Sequence, residues 1–167
     1  MTSKPSKINQ IRTPSRTQVL NTQRRFKIFR HAVSMFCDGV LRTLEVPERP
    51  LAVVFVSAGR IRDLNRRYRG LDYATDVLSF SYEGEMVEGL PFLGEIVISP
   101  EVAWRQASRW RCRPDREVRK LLLHGILHLL GYDHEADAGE MNHLQRRLLR
   151  RHVLKEGDPV VVMRDDA

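Results

Sequence analysis

The chain has 167 residues, 42% hydrophobic and 29% charged, a balance that suits one soluble globular domain and excludes a wholly disordered chain. No stretch holds the roughly 18 apolar residues of a membrane span, the N-terminus lacks the apolar core of an export signal, and two cysteines, Cys37 and Cys112, cannot build a disulfide framework. The net charge of +7 is uneven: eight Lys and Arg precede Asp38, the first acidic residue, while the rest of the chain holds 20 basic and 21 acidic side chains. Free thiols and the missing signal predict a cytoplasmic protein without a membrane partner. The basic front end predicts a polyanionic partner, RNA or DNA being the commonest. A solvated extension, or an Arg/Ser/Thr-rich organelle-targeting segment over residues 1–25, would show the same composition.

In chain order, residues 1–16 (MTSKPSKINQIRTPSR) carry two prolines and three serines and read as a flexible basic extension. Residues 18–21 suggest a short strand. From Phe26 the apolar residues Ile28, Phe29, Ala32, Val33, Phe36, Val40, Leu41 and Leu44 recur at helical spacing, and Pro47 and Pro50 end that helix. LAVVFVS (51–57) is a β-branched run of the kind that makes a central strand. Ile61, Leu64 and Tyr68 predict a helix stopped by Gly70, and VLSFSY (77–82) and GEIVIS (94–99) predict two strands separated by a loop. Helices are expected from Pro100 to about Cys112, from Pro114 to Leu130 and over residues 138–153. In the second, Asp115 is expected to satisfy free backbone N–H groups. The expected fold is α+β: a single domain with a small mixed β-sheet packed with helices, spanning residues 17–155, with residues 156–167 as a C-terminal tail.

The stretch HGILHLLGYDH (124–134) carries the chemistry. His124 and His128, four residues apart, share one helix face and present two rings to one point. Gly131 stops the helix and turns the chain, so that Tyr132-Asp133 bring His134 back toward the pair. Three neutral imidazoles with no fourth protein ligand describe an open, catalytic zinc site on the helix and its following turn. Metal acidity there would bring a bound water to a pKa of about 7. A zinc peptidase of the H-E-x-x-H-x-x-G-x-x-H pattern has the same spacing but needs a base after the first histidine, where this chain has Gly125. Peptidase chemistry is accordingly the weakest reading.

The same stretch resembles the signature H-G-x-L-H-L-x-G-x-D-H of the YbeY family of endoribonucleases, matching at His124, Gly125, Leu127, His128, Leu129, Gly131, Asp133 and His134. LNRRYRGLDYATDVLSFS (64–81) resembles a second family motif and LGEIVIS (93–99) a third, and together the likeness covers about residues 18–155. Ser81 stands where the family usually has Pro, Ser57-Ala58 where an Asp often follows the second strand, and the basic extension before residue 17 exceeds the family core.

The resemblance implies a zinc-dependent endoribonuclease for single-stranded RNA, acting in ribosomal RNA processing (16S 3′-end maturation) and ribosome quality control. One Zn2+ per chain would sit on His124, His128 and His134, with Arg69 as the functionally important arginine, and the partners would be ribosomal RNA and the small subunit rather than DNA. Arg105, Arg109 and Arg116, in a run with Arg111, Arg113, Arg119 and Lys120, are candidates for RNA phosphates. Trp104 and Trp110 are candidates for base stacking or for the core. Asp133 would orient a ligand ring or cap the helix end. Thr75 and Asp76 are expected to shape the turn into strand 77–82. The competing reading is a ribosome-associated RNA-binding assembly factor whose zinc is mainly structural.

Overall fold

The computed structural model describes residues 15–46, 49–133, 138–153 and 157–164. Its frame is a four-stranded mixed sheet built from β1 (Thr17–Asn21), β3 (Leu51–Phe55), β4 (Val77–Phe80) and β7 (Gly94–Ile98) in the order β1-β3-β7-β4. β1, β3 and β7 run parallel, and β4 is antiparallel to β7. The run LAVVF is central, as its β-branched composition predicts, with Val53 registered between Val19 and Ile96.

Strand alternation divides the apolar side chains between two faces. Leu51, Val53, Phe55, Ile96 and Ile98 join Phe36, Val40 and Leu41 of α1 (Arg30–Thr43) and Leu122 and Ile126 of α4 (Pro114–Leu129) in the main core. Val97 and Leu78 face the other way, against Ile61 of α2 (Ala58–Arg69). α2 and α4 therefore cover opposite faces of the sheet. α3 (Pro100–Arg109) and α5 (Glu140–Leu148), the latter continued by a π-helical turn Leu149–Val153, complete the helical layer. A small hairpin of β5 (Met86–Val87) and β6 (Leu90–Pro91) occupies the loop between β4 and β7.

Three expectations need correction here. Phe26–Ile28 is not the start of a helix but β2, paired antiparallel with β8 (Val161–Met163). Gln23 holds that strand's entry with both ends of its amide: Phe26 N–H donates to Oε1 at 2.9 Å, and Nε2 donates to Phe26 O at 2.9 Å. The helix begins at Arg30, after Phe29 N–H donates to Val160 O at 3.0 Å. Within the segment read as a tail, residues 157–164 are thus tied into the fold through β8, with Val160 and Val161 buried in the main core. Asp115 likewise does not cap its own helix. Its Oδ1 accepts from Val160 N–H and its Oδ2 from Arg119 Nε, at 2.5 and 3.0 Å, so it ties α4 to the β8 segment.

Helix ends follow local rules. Ser57 and Ser99 cap α2 and α3, accepting from Arg60 N–H and Val102 N–H at 3.2 and 3.4 Å. Ser57 thus makes the capping contact an Asp would make at that place. α4 stops in a Schellman motif: Gly131 N–H donates to His128 O and Tyr132 N–H to Leu127 O, at 3.0 and 3.1 Å, with Gly131 at φ 91°.

Candidate metal centre and its surroundings

α4 brings two of the three expected ligands together. His124 Nε2 and His128 Nε2 lie 2.9 Å apart, their rings edge to face with centroids separated by 4.4 Å. Two imidazole nitrogens on a tetrahedral zinc, each at about 2.0–2.1 Å, lie roughly 3.3 Å apart, so the pair is set to within a few tenths of an ångström of sharing one ion. The other face of His124 is held from α5, where Nδ1 lies 3.3 Å from Gln145 Oε1. A carbonyl acceptor there fixes the Nδ1–H tautomer and leaves the Nε2 lone pair directed toward His128. The donor set and its orientation fit a borderline-soft ion such as zinc.

His134 lies outside the described residues, and among the described residues no group of three or more His, Cys, Asp or Glu side chains is placed to hold a metal. Asp133 is exposed just past the Schellman turn. Gln145 has no local sequence signature; only the packing of α5 along α4 reveals it.

Gly125 has a structural reason. A Cβ at this position would meet three atoms of the Ile96 side chain at 2.9–3.0 Å, so the residue after the first histidine faces β7 rather than the histidine pair. A glutamate base there would collide with the sheet.

Arg69 closes α2 and is exposed, followed by Gly70 in the left-handed conformation at φ 71°. The chain then passes to the edge strand β4 through a braced loop. Arg62 holds Asp72 bidentately at 2.9 and 3.2 Å, Asn65 Nδ2 donates to Tyr73 O at 3.0 Å, and Asp76 Oδ1 accepts from Val77 N–H at 2.8 Å. The Thr75 hydroxyl donates to the same Asp76 oxygen at 3.3 Å, as expected of turn-shaping residues. No ion pair or side-chain hydrogen bond joins Arg69 to the histidines among the described residues.

The basic run divides by helix geometry. Arg116 and Lys120 lie two turns and one turn before His124 on the same slowly winding stripe of α4, and both are exposed. Arg119 faces inward instead, a correction to its place in the predicted basic face. Its side chain is 10% exposed, pairs with Asp115, donates to Asp158 O and lies over the Phe36 ring at 5.4 Å. Arg109 is exposed at the end of α3, and Arg105 reaches Glu101 at 3.8 Å. Trp104 packs on Phe26, ring centroids 5.3 Å apart, whereas Trp110 is 72% exposed.

The model of the family described as Endoribonuclease YbeY matches residues 10–153. The chain belongs to the YbeY family. It is 38% identical over 125 residues to the endoribonuclease YbeY of Aquifex aeolicus, covering 75% of this chain and 83% of that protein. Similarity to the YbeY proteins of Thermodesulfovibrio yellowstonii and Chromobacterium violaceum is 41% and 45% over 102 and 103 residues. These matches cover 59% and 61% of this chain and 64% and 61% of the relatives' own lengths. The solution structure of TM1509 from Thermotoga maritima is similar at a TM-score of 0.57 and 26% identity, covering 86% of this chain and 97% of that one. Among the described residues no helix is long and apolar enough to cross a membrane. In YbeY terms, the second motif is largely scaffold here: Asn65, Asp72, Thr75 and Asp76 hold the loop behind Arg69.

Proposed function

We propose that this YbeY-family chain is a zinc-dependent endoribonuclease that cuts single-stranded segments of ribosomal RNA precursors, including the 3′ end of 16S RNA, in the cytoplasm and in association with the small ribosomal subunit. The observation that carries the zinc site is the convergence of His124 and His128 on one point, with Gln145 fixing the His124 tautomer. His124, His128 and His134 would hold one ion, which when bound supplies Lewis acidity toward water and phosphoryl oxygen. The protein's own side chains bind and orient the RNA. Arg69, exposed beside a braced loop, is suited to grip two oxygens of the scissile phosphate with its guanidinium fork. Arg116 and Lys120 would neutralise neighbouring phosphates along α4. Since position 125 is closed by Ile96, no side chain there takes the nucleophile's proton.

The bridge from α4 to α5 through His124 and Gln145 also supports a second reading, in which metal mainly stabilises the C-terminal helices of an RNA-binding assembly factor. Cleavage of a 5′-labelled ribosomal RNA fragment separates the two, comparing metal-loaded protein, chelated protein, His128→Ala and Arg69→Ala, each checked by circular dichroism. The endoribonuclease reading expects cleavage only by the loaded wild type, with all samples folded. Loss of helical signal on chelation, or RNA binding without cleavage, would favour the assembly factor. A cyclic phosphate on the product would identify the ribose 2′-OH as nucleophile.

A further inference from the structure

A cavity of about 650 Å3 lies against the N-terminal half of α4, lined by Trp110, Arg111, Cys112, Arg116, Glu117, Lys120 and Leu149. Its volume suits a nucleotide. It lies along the same α4 stripe as the histidines: Arg116 and Lys120 precede His124 by eight and four residues, about 12 and 6 Å along the helix at 1.5 Å per residue. RNA bound at the histidines can therefore continue into it within a short run of nucleotides.

Three cations alone would make only a phosphate-binding surface. Two further features select a base. Trp110 offers its ring to solvent at the rim, 72% exposed, while the protein's other tryptophan is packed on Phe26. Glu117 carries a carboxylate with only 7% of its side chain exposed, and its contacts in the cavity wall are long: Cys112 Sγ at 3.8 Å and Lys120 Nζ at 3.8 Å. A buried carboxylate accepts hydrogen bonds and donates none. Among the RNA bases only guanine presents two adjacent donors, N1–H and N2–H, on its Watson–Crick edge. Adenine and cytosine set one amino donor beside a ring acceptor, and uracil flanks its single donor with two carbonyls.

We propose that this cavity is a guanine-selective subsite for single-stranded RNA, with the base stacked on Trp110, its Watson–Crick edge on Glu117, and the adjoining phosphates on Arg111, Arg116 and Lys120. The proposal deepens the reading of the protein as an RNA-cleaving enzyme and rests on RNA being its ligand. Proteins commonly read single-stranded RNA by stacking and by hydrogen bonds to this edge.

The test is fluorescence anisotropy of zinc-loaded full-length protein with labelled 2′-O-methyl hexauridylates carrying one central G, inosine or A, their integrity checked on a gel. The expected order is G tightest, A about tenfold weaker, and inosine, which lacks the N2 amine, between them. Trp110→Ala should weaken binding of G and A alike, by about tenfold, and lose the tryptophan quenching that guanine causes in the wild type. Glu117→Gln, if folded by circular dichroism, should reduce the G-over-A preference to within twofold. Should it misfold, the inosine series on wild type still decides. Equal wild-type affinity for G and A, or wild-type behaviour of Trp110→Ala, would overturn the subsite. Ribosomal RNA cleavage by the same preparations keeps the two readings apart. Cleavage without guanine preference overturns the subsite alone, and guanine preference without cleavage overturns the nuclease alone.

Discussion

Gly125 shows how one missing side chain can serve packing and chemistry together. The contact that would press a Cβ into Ile96 lets α4 lie close on β7, and so carries His124 and His128 to their place over the sheet. Gly125→Ala should cost about 1–3 kcal/mol of stability, the range for overpacking a filled core, read as a lower urea midpoint. Cys37 supports a pH prediction. It is fully buried, and burial, helped by the Asp38 carboxylate, pushes its thiol well above the ordinary 9.0. A folded-state value above the unfolded one gives stability that is complete below pH 9 and lost as pH rises, because the unfolded chain releases its proton first. Melting temperature should therefore fall more steeply above pH 9 in the wild type than in Cys37→Ala; parallel profiles would refute this. At this scale the sequence is most readable where chemistry is local. The four-residue histidine spacing and the stop at Gly131 follow from helix geometry, whereas Gln145 meets His124 only through tertiary packing.

At the scale of elements, the helices and the central strands follow from periodicity and composition. The misreadings share a cause. Phe26, Phe29 and Val33 recur at nearly helical spacing, but Phe26–Ile28 has its hydrogen-bonding partner at the other end of the chain, in β8. No local window contains both halves of that pair. The same distance hides Arg119: among seven basic residues in one run its charge marks it as surface, yet its partners are Asp115, the Asp158 carbonyl and the Phe36 ring. Arg119→Ala leaves Asp115 in a mostly enclosed site without its counter-charge, and should cost about 3 kcal/mol. Arg116→Ala, one turn earlier and exposed, should change stability by less than about 0.5 kcal/mol. Equal urea midpoints for the two variants would contradict the inward placement of Arg119.

For the whole molecule, the layered fold places α4, which carries the histidine pair, and α2, which Arg69 closes, on opposite faces of one sheet. Both helices contact the edge strand β4, so a phosphate held jointly by Arg69 and the histidine pair would have to lie at that edge. Metal binding to the folded state alone would stabilise the entire domain. Zinc at a hundred times its dissociation constant should add about 2.7 kcal/mol, equivalent to a rise of roughly 5–11 °C in Tm for a chain of this size. His128→Ala should show a much smaller rise, and an equal rise in that variant would place the ion elsewhere.

The β2–β8 pairing also sets an order of events during synthesis. β8 leaves the ribosome after every helix, and at 5–20 residues per second the interval between the end of α4 and β8 is about 2–6 s. For that time Asp115 lacks the Val160 amide and Arg119 the Asp158 carbonyl. The nascent chain thus carries both histidines of the pair before it carries the strand that locks their helix, and the final clasp on the domain closes only when the chain's two ends can meet.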